Sequence, residues 1–134
     1  MHEVTEVLYR ALTADSTLTT ALGGHPVAYG MIPKDQALPF LLVQVASAIE
    51  ENLTPTRSVR LVYLIKAIGY PSNTAQTITN RVDALLIANT LEVTGWGNVV
   101  AKRISLVQYL ENGPAGQPLL HYGAEYQLTL AVKT

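Results

Sequence analysis

Residues 34–51, KDQALPFLLVQVASAIEE, combine a polar start and a proline with a dense apolar run and two closing acids. The apolar run contains Phe40, Leu41, Leu42, Val43 and Val45. A strand with one face in water alternates apolar and polar side chains, because successive side chains point to opposite faces of a sheet. The segment therefore predicts a strand over residues 39–49 that is apolar on both faces, and something must cover its second face.

A second strand with two apolar faces is predicted over residues 58–70, SVRLVYLIKAIGY, where odd and even positions are both largely apolar. Residues 119–133, by contrast, alternate almost throughout, as in a strand with one buried face. Two helices can cover one face of an antiparallel sheet but not both. The second face is therefore predicted to contact a partner, and a strongly curled or sandwich-like sheet that closes on itself is the alternative. The candidate interface residues on this face are Val62, Leu64 and Ile68.

The rest of the pattern predicts one α+β domain, residues 1–134. Between its two helices, Asp15 or Ser16 can cap a further short turn, which Gly23 and Gly24 end. The predicted fold is an antiparallel β-sheet of about four main strands with two longer helices packed on one face. The other elements are helices over 3–14 and 73–89, strands over 98–111 and 119–133, and a short strand or extended segment over 27–33.

Composition narrows the classes of function. The net charge is −1 and the pI about 6.3, which argues against generic binding to nucleic acid or to an acidic membrane. No apolar run approaches the roughly 20 residues that span a bilayer. Charged residues make up only 14% of the chain, against about 25% in typical soluble domains. Part of the surface is therefore predicted to be buried against copies of the chain or a partner, and a compact monomer with a Thr-, Asn- and Gln-rich surface is the alternative.

Candidate catalytic and metal-binding residues are few. The chain has no cysteine, and His2, His25 and His121 lack a second ligand at metal-binding spacing. No serine has the context of a nucleophile elbow. The sequence therefore predicts no enzyme, no metal and no cofactor. The carboxylates in or near loops are interpreted as solvated groups rather than as a catalytic pair; they are Asp35, Glu50, Glu51 and Glu111.

Two further features bear on contacts rather than on chemistry. Trp96 lies between two glycines, and it is interpreted either as a plug for a helix end or as an anchor in an interface. The polar connection EENLTPTR, residues 50–57, joins the two apolar strands and is longer than a tight hairpin turn. It is predicted to project from the body of the domain.

The chain as a whole resembles the tail-terminator, or tail-completion, proteins of long-tailed phages and gene-transfer particles. The resemblance runs along nearly the whole sequence and rests on the order and spacing of fold patterns, not on catalytic signatures. The stretches that carry it are ALTADSTLTTALGG (11–24), VAYGMIPKDQALPFLLVQ (27–44), IKAIGYPSNTAQTITNRVDALL (65–86) and HYGAEYQLTLAV (121–132).

The resemblance implies a structural protein of the virion, located in the tail or neck and assembled in the host cytoplasm. Such proteins form a hexameric ring on the head-proximal end of the tail tube, which stops tube polymerisation and docks the neck of the filled head. The implied partners are copies of the chain, the tail-tube protein and a head-neck connector or stopper. DNA would pass through the ring without sequence-specific binding.

Within this interpretation Glu50, Glu51 and Asn52 can line the channel, because acidic or neutral loops do not hold phosphate. Solvated loop acids are the alternative explanation of the same residues. Two other functions stay open at the level of sequence: a head-completion or neck connector protein, and a small α+β ligand-binding module. The second would need a pocket with convergent polar groups, which the sequence does not indicate.

Overall fold

The computed structural model describes residues 2–25, 27–30, 37–52, 57–87, 91–113 and 116–132. Three helices and five strands follow one another along the chain. In chain order they are α1 (His2–Thr13), α2 (Ser16–Ala21), β1 (Val27–Tyr29), β2 (Phe40–Asn52), β3 (Arg57–Gly69), α3 (Thr74–Ile87), β4 (Trp96–Asn112) and β5 (Pro118–Val132). The predicted element ends at 33, 89 and 133 and the connection at 53–56 lie outside the described residues. No helix in the described ranges is long and apolar enough to cross a membrane.

The strands form one five-stranded sheet in the order β1-β2-β3-β5-β4. β1 pairs with β2 in parallel, and every other neighbouring pair is antiparallel. The sequence prediction of an antiparallel sheet of about four main strands with two longer helices is wrong. The chain is mostly β, with a curled sheet of mixed orientation and short helices.

Two physical causes explain the error. β1 has only three residues, and its parallel pairing depends on how the chain crosses over to β2, which hydrophobic periodicity does not report. The strands also extend past their apolar runs, because ladder hydrogen bonds continue through polar residues at the ends of a hairpin. β2, for example, continues through Asn52, opposite Arg57.

The helices cover one face of the sheet, called here the core face. Odd positions of β3 and even positions of β5 point into this layer, where Tyr63 and Tyr126 are fully buried. Val82 of α3 and Leu128 of β5 are buried there too, as the helical stripe and the alternating last strand predict. The helix α1 contributes the apolar stripe Val4, Leu8 and Leu12.

The short helix α2 is held in the helix layer by its cap. The Asp15 carboxylate accepts the Leu18 backbone N–H at 2.8 Å, as the predicted cap requires. The same carboxylate also receives two hydrogen bonds from the Arg81 guanidinium of α3, at 2.6 and 2.8 Å. Gly23 and Gly24 follow with positive φ values of 66° and 79°, a conformation that glycine adopts without strain. One aspartate therefore begins α2 and ties it to α3.

Candidate functional site

The opposite face of the sheet, called here the second face, is partly buried by the chain itself. Near the end of β3, Phe40, Leu42 and Ile68 form a small apolar cluster with Ala28, and Leu38 packs against it. Phe40 and Ile68 are direct partners across the β2–β3 ladder. The predicted interface residue Ile68 is only 2% exposed. Its side chain is therefore covered within one chain, and the apolar character of this end of the strands has an internal explanation.

A group of polar and aromatic side chains adjoins this cluster on the second face. Lys66 is only 8% exposed, and its Nζ donates to the Tyr109 hydroxyl at 2.7 Å while lying 5.0 Å from the centre of the Tyr109 ring. A buried ammonium needs such partners, because its charge is costly to remove from water. The Tyr109 ring also stacks on His121 with centroids 4.3 Å apart. These contacts fasten the end of β4 to the rest of the sheet.

Beside this group the backbones of β3 and β5 approach each other closely. Gly123 of β5 lies opposite Lys66 of β3. A Cβ at position 123 would lie 2.2 Å from the Ile65 carbonyl oxygen and 2.4 Å from the Lys66 Cα. Only glycine fits such a separation.

The histidine in this group pairs with a carboxylate of β4. His121 is 3% exposed, and its Nε2 lies 2.8 Å from Glu111 Oε1. Its Nδ1 has no hydrogen-bond partner among the described residues. Within those residues no group of three His, Asp or Glu side chains could hold a metal ion. The pair therefore joins β4 to β5.

The remaining predicted interface residues lie in the middle of the second face and at its margins. Val62 and Leu64 are half-buried there, opposite Gln127 and Glu125 of β5. The middle of the second face is thus mixed in polarity rather than a continuous apolar patch. Trp96 begins β4 and packs, half-buried, against the main core.

The predicted channel residues belong to the end of a strand. The backbones of Glu50, Glu51 and Asn52 continue β2 and pair with Val59, Ser58 and Arg57, respectively. The acidic pair is therefore part of an extended β2–β3 hairpin rather than of a loop. The side chains of these three residues lie outside what the structure describes.

Sequence reasoning missed the edge of the sheet formed by β4. This strand has 17 residues and lies last in the strand order, so the side away from β5 has no neighbouring strand among the described residues. Leu106 is 54% and Leu110 63% exposed. Three more large apolar side chains of β4 are exposed to a similar degree: Val100, Ile104 and Tyr109. The sequence shows that the strand exists, but only the strand order shows that it is an edge.

The opposite edge of the sheet is also largely open. β1 pairs with β2 only as far as Val43, and the following residues of β2 have no described strand on that side. Val45 and Ile49 are both exposed there. A groove of about 400 Å³ begins where β1 ends, lined by Tyr29, Gly30, Gln44, Val45, Ala46 and Leu64. Among the described residues the sheet therefore has two open edges, which are the usual sites of strand pairing between chains.

The titratable groups of the core face form hydrogen bonds that stabilise the fold. The buried Tyr126 hydroxyl donates to the Asp83 carboxylate, which also accepts from the Arg103 guanidinium at 2.6 Å. Burial, and then the Asp83 carboxylate, raise the pKa of Tyr126 well above its usual range. Burial likewise raises the pKa of Tyr63, although its hydrogen bond with Thr5 at 2.7 Å opposes this shift.

The Asp15–Arg81 pair shows the reverse effect. Its hydrogen bonds from Arg81 lower the pKa of Asp15, although desolvation acts in the opposite direction. Tyr63 and Tyr126 thus connect helices to the sheet, and the Asp15–Arg81 pair connects α2 to α3.

Comparison with solved structures gives the fold a precedent. A chain from the virion of a native gene transfer agent particle superposes with a TM-score of 0.65 over 92% of this chain and 91% of that one, at 16% sequence identity. The likeness is one of fold. A second solved structure, which carries no descriptive name, gives a TM-score of 0.51 at 14% identity over 97% and 96% of the two chains. No protein-family model matches the sequence, and no curated protein does.

Proposed function

We propose that this chain is a structural protein of a phage-like virion, and that it acts as a tail terminator. In this role copies form a ring, six-membered by the resemblance of the sequence, on the head-proximal end of the tail tube. The ring stops tube polymerisation and offers the docking surface for the neck. The observation that carries the proposal is the shared fold with a gene transfer agent virion chain, which extends over nearly the full length of both.

The surfaces of the molecule support an assembly role. A closed ring needs a heterologous interface, in which two different patches of one subunit meet on neighbouring copies. In the part of the chain that the structure describes, the sheet has two open edges of different sequence, β4 on one side and the outer edge of β2 on the other. Closing a ring through such edges would also remove them as sites of uncontrolled aggregation.

The charge of the chain fits a ring around DNA. A net charge of −1 with only 14% charged residues gives little attraction for phosphate, so DNA can pass without being held. The partners in this proposal are the tail-tube protein on one side of the ring and a head-neck connector or stopper on the other. The described residues contain no metal-binding group, and the proposed role is non-enzymatic.

The test combines the purified protein with particle assembly. Mass measurement in solution and negative-stain images are expected to show rings. Removal of the gene from its particle is expected to give tails of uncontrolled length and unjoined heads, and restoring the wild-type gene is the control. Tails of normal length that lack heads would instead indicate a head-completion or neck connector protein. Normal particles without the protein would contradict both roles.

A further inference from the structure

We propose that copies of this chain join edge to edge, with β4 of one copy pairing antiparallel to the outer edge of β2, residues 44–51, of the next. The inference rests on the proposed ring and names the contact that would build it. Each open edge would then pair with the opposite edge of a neighbouring copy.

Unpaired backbone groups give the first reason. An edge strand presents a row of N–H and C=O groups that can pair with another strand. β4 offers residues 99–112, which have no described strand on the side away from β5, and β2 offers its residues past Val43, where β1 ends. Both edges are therefore long enough for a ladder of several hydrogen bonds.

The composition of the two edges gives the second reason. Residues 104–110 of β4, ISLVQYL, contain no charge and no proline, and residues 45–49 of β2, VASAI, contain none either. Exposed uncharged segments of this kind pair readily with other strands. Each holds strongly exposed apolar side chains, such as Leu106 in β4 and Ile49 in β2. Natural edges that stay in water carry charges, prolines or bulges, and within these two runs the chain has one bulge each, at Ile104 and at Ala46, but no charge and no proline.

Charge at the ends of these two runs selects the direction of pairing. Lys102 and Arg103 come just before the uncharged run of β4, and Glu50 and Glu51 come just after that of β2. Antiparallel pairing places the start of one run opposite the end of the other, so the exposed Lys102 comes close to the acidic pair, whereas Arg103 already pairs with Asp83 within the chain. Parallel pairing would separate them. Opposite charges facing across strands stabilise a ladder, and like charges oppose it.

Strand direction within the sheet leads independently to the same result. β2, β3, β5 and β4 are joined by three antiparallel pairings in succession, so β4 runs opposite to β2. A rotation that continues the sheet around a ring axis preserves the direction of every strand. The β2 strand of the next copy would therefore meet β4 antiparallel, as the charges require.

The groove beside β2 gives the last reason. When Lys102 faces Glu51, residues 107 and 108 lie opposite Ala46 and Val45, to within the one-residue shifts of the bulges at Ala46 and Ile104. Residue 109 then lies opposite Gln44, at the groove lined by Gln44 and Val45. The ladder therefore ends close to the point where β1 begins to pair with β2, and residues 110–112 extend beyond the open part of β2.

The experiment blocks one edge at a time in the purified chain. Leu106→Lys places a charge on the β4 edge and leaves β2 intact, whereas Ala48→Lys does the reverse; both residues are exposed in the single chain. Each variant alone is expected to be folded by circular dichroism but monomeric by mass, with at least about tenfold weaker self-association. An equimolar mixture is expected to form a one-to-one dimer and nothing larger, because only one competent pair of edges remains. Ile87→Lys, an exposed apolar residue at the end of α3, is the matched control and keeps the wild-type mass.

Other outcomes identify other arrangements. A dimer formed by the Ala48→Lys variant alone would be the sign of two-fold β4–β4 pairing and would overturn the inference. A monomeric wild-type chain, or native assemblies in both variants, would overturn the inference as well.

Charge reversal gives a second readout. Lys102→Glu and Glu51→Lys are each expected to weaken assembly, and the double variant is expected to restore it. Rings that persist in every variant, together with uncontrolled tail length in particles lacking the gene, would reject this contact and leave the tail-terminator proposal standing.

Discussion

The core face of the sheet and its second face differ in how far the chain buries them. On the core face, three helices cover a continuous apolar layer in which Tyr63, Tyr126 and Leu128 have essentially no exposed surface. On the second face, a small cluster around Ile68 is buried, whereas Val62 and Leu64 are only half-covered. The two faces belong to the same strands, so the difference arises from what lies over them.

This difference separates residues that hold the fold from residues available for assembly. A side chain that is fully buried in one chain contributes its burial energy before any partner arrives. A half-buried or exposed apolar side chain still has apolar area in water, and burying that area can stabilise a contact with another chain. Substitutions on the two faces should therefore affect different measurements.

The largest effect is expected in the centre of the core face. Leu128→Ala removes a side chain with no exposed surface and leaves a cavity, so the free energy of unfolding should fall by about 2–5 kcal/mol. Chemical denaturation of the purified chain measures it. Leu110→Ala on the exposed β4 edge is the control and should change it little; similar losses at both positions would contradict the contrast between covered and open regions.

A nearly equal effect is expected at one position between β3 and β5. Gly123→Ala places a Cβ against the backbone of Ile65 and Lys66, and relief requires the two strands to separate. The expected cost in unfolding free energy is about 3 kcal/mol. Gly116→Ala in the loop before β5 is a useful reference, since open space surrounds that Cβ, although its positive φ of 80° adds some strain. If Gly123→Ala were neutral, the close strand approach would be wrong.

The sequence predicts the core face well because the signal is local. Strict alternation over residues 119–133 and the helical stripe that includes Val82 each depend only on neighbours along the chain. Leu128 and Val82 are accordingly buried where the pattern places them. Sheet order and strand orientation are not local. They decide that β1 is parallel and that β4 is an edge, and no periodicity reports them.

The candidate surfaces show the same limit. Both faces of β2 and β3 are largely apolar, which raises the question of what covers the second face. For Ile68 the answer lies within the chain, because Phe40 and Leu42 cover it. The contact between Lys66 and Tyr109 joins residues 43 positions apart, and it depends on the pairing of β3 and β4 with β5. A lysine inside an apolar strand was the one local signal for it, because such a charge needs a partner.

A smaller effect is expected at the buried tyrosine of the core face. Tyr126→Phe removes the hydroxyl that donates to Asp83, and the unfolding free energy should fall by about 2 kcal/mol because the acceptor is charged. Denaturation of the two proteins at neutral pH measures this difference. Tyr122→Phe, which removes a hydroxyl from the same strand without an Asp83 contact, is the matched comparison.

The same tyrosine predicts a dependence on alkaline pH. The pKa of Tyr126 is raised in the folded chain above the ordinary value of 10.0, so the unfolded chain loses this proton first. Its contribution to stability is therefore fully present below about pH 10 and is lost as pH rises above that value. The stability gap between wild type and Tyr126→Phe should narrow between about pH 10 and pH 12. A gap that widened would show that the ionised tyrosinate is the form stabilised by folding.

The smallest effect on stability, but a large one on assembly, is expected on the second face at Leu64. Its side chain is half-buried and lines the groove beside the open edge of β2. Leu64→Glu should therefore change the unfolding free energy of the single chain by no more than about 1 kcal/mol. A carboxylate in a groove that a neighbouring copy covers cannot be buried without cost, so the variant should be a soluble monomer by mass measurement. Ile87→Glu, on an exposed apolar residue of α3, should keep the wild-type assembly. Rings of native size from Leu64→Glu would place this part of the second face away from every contact between copies, and a large loss of stability would assign Leu64 to the fold instead.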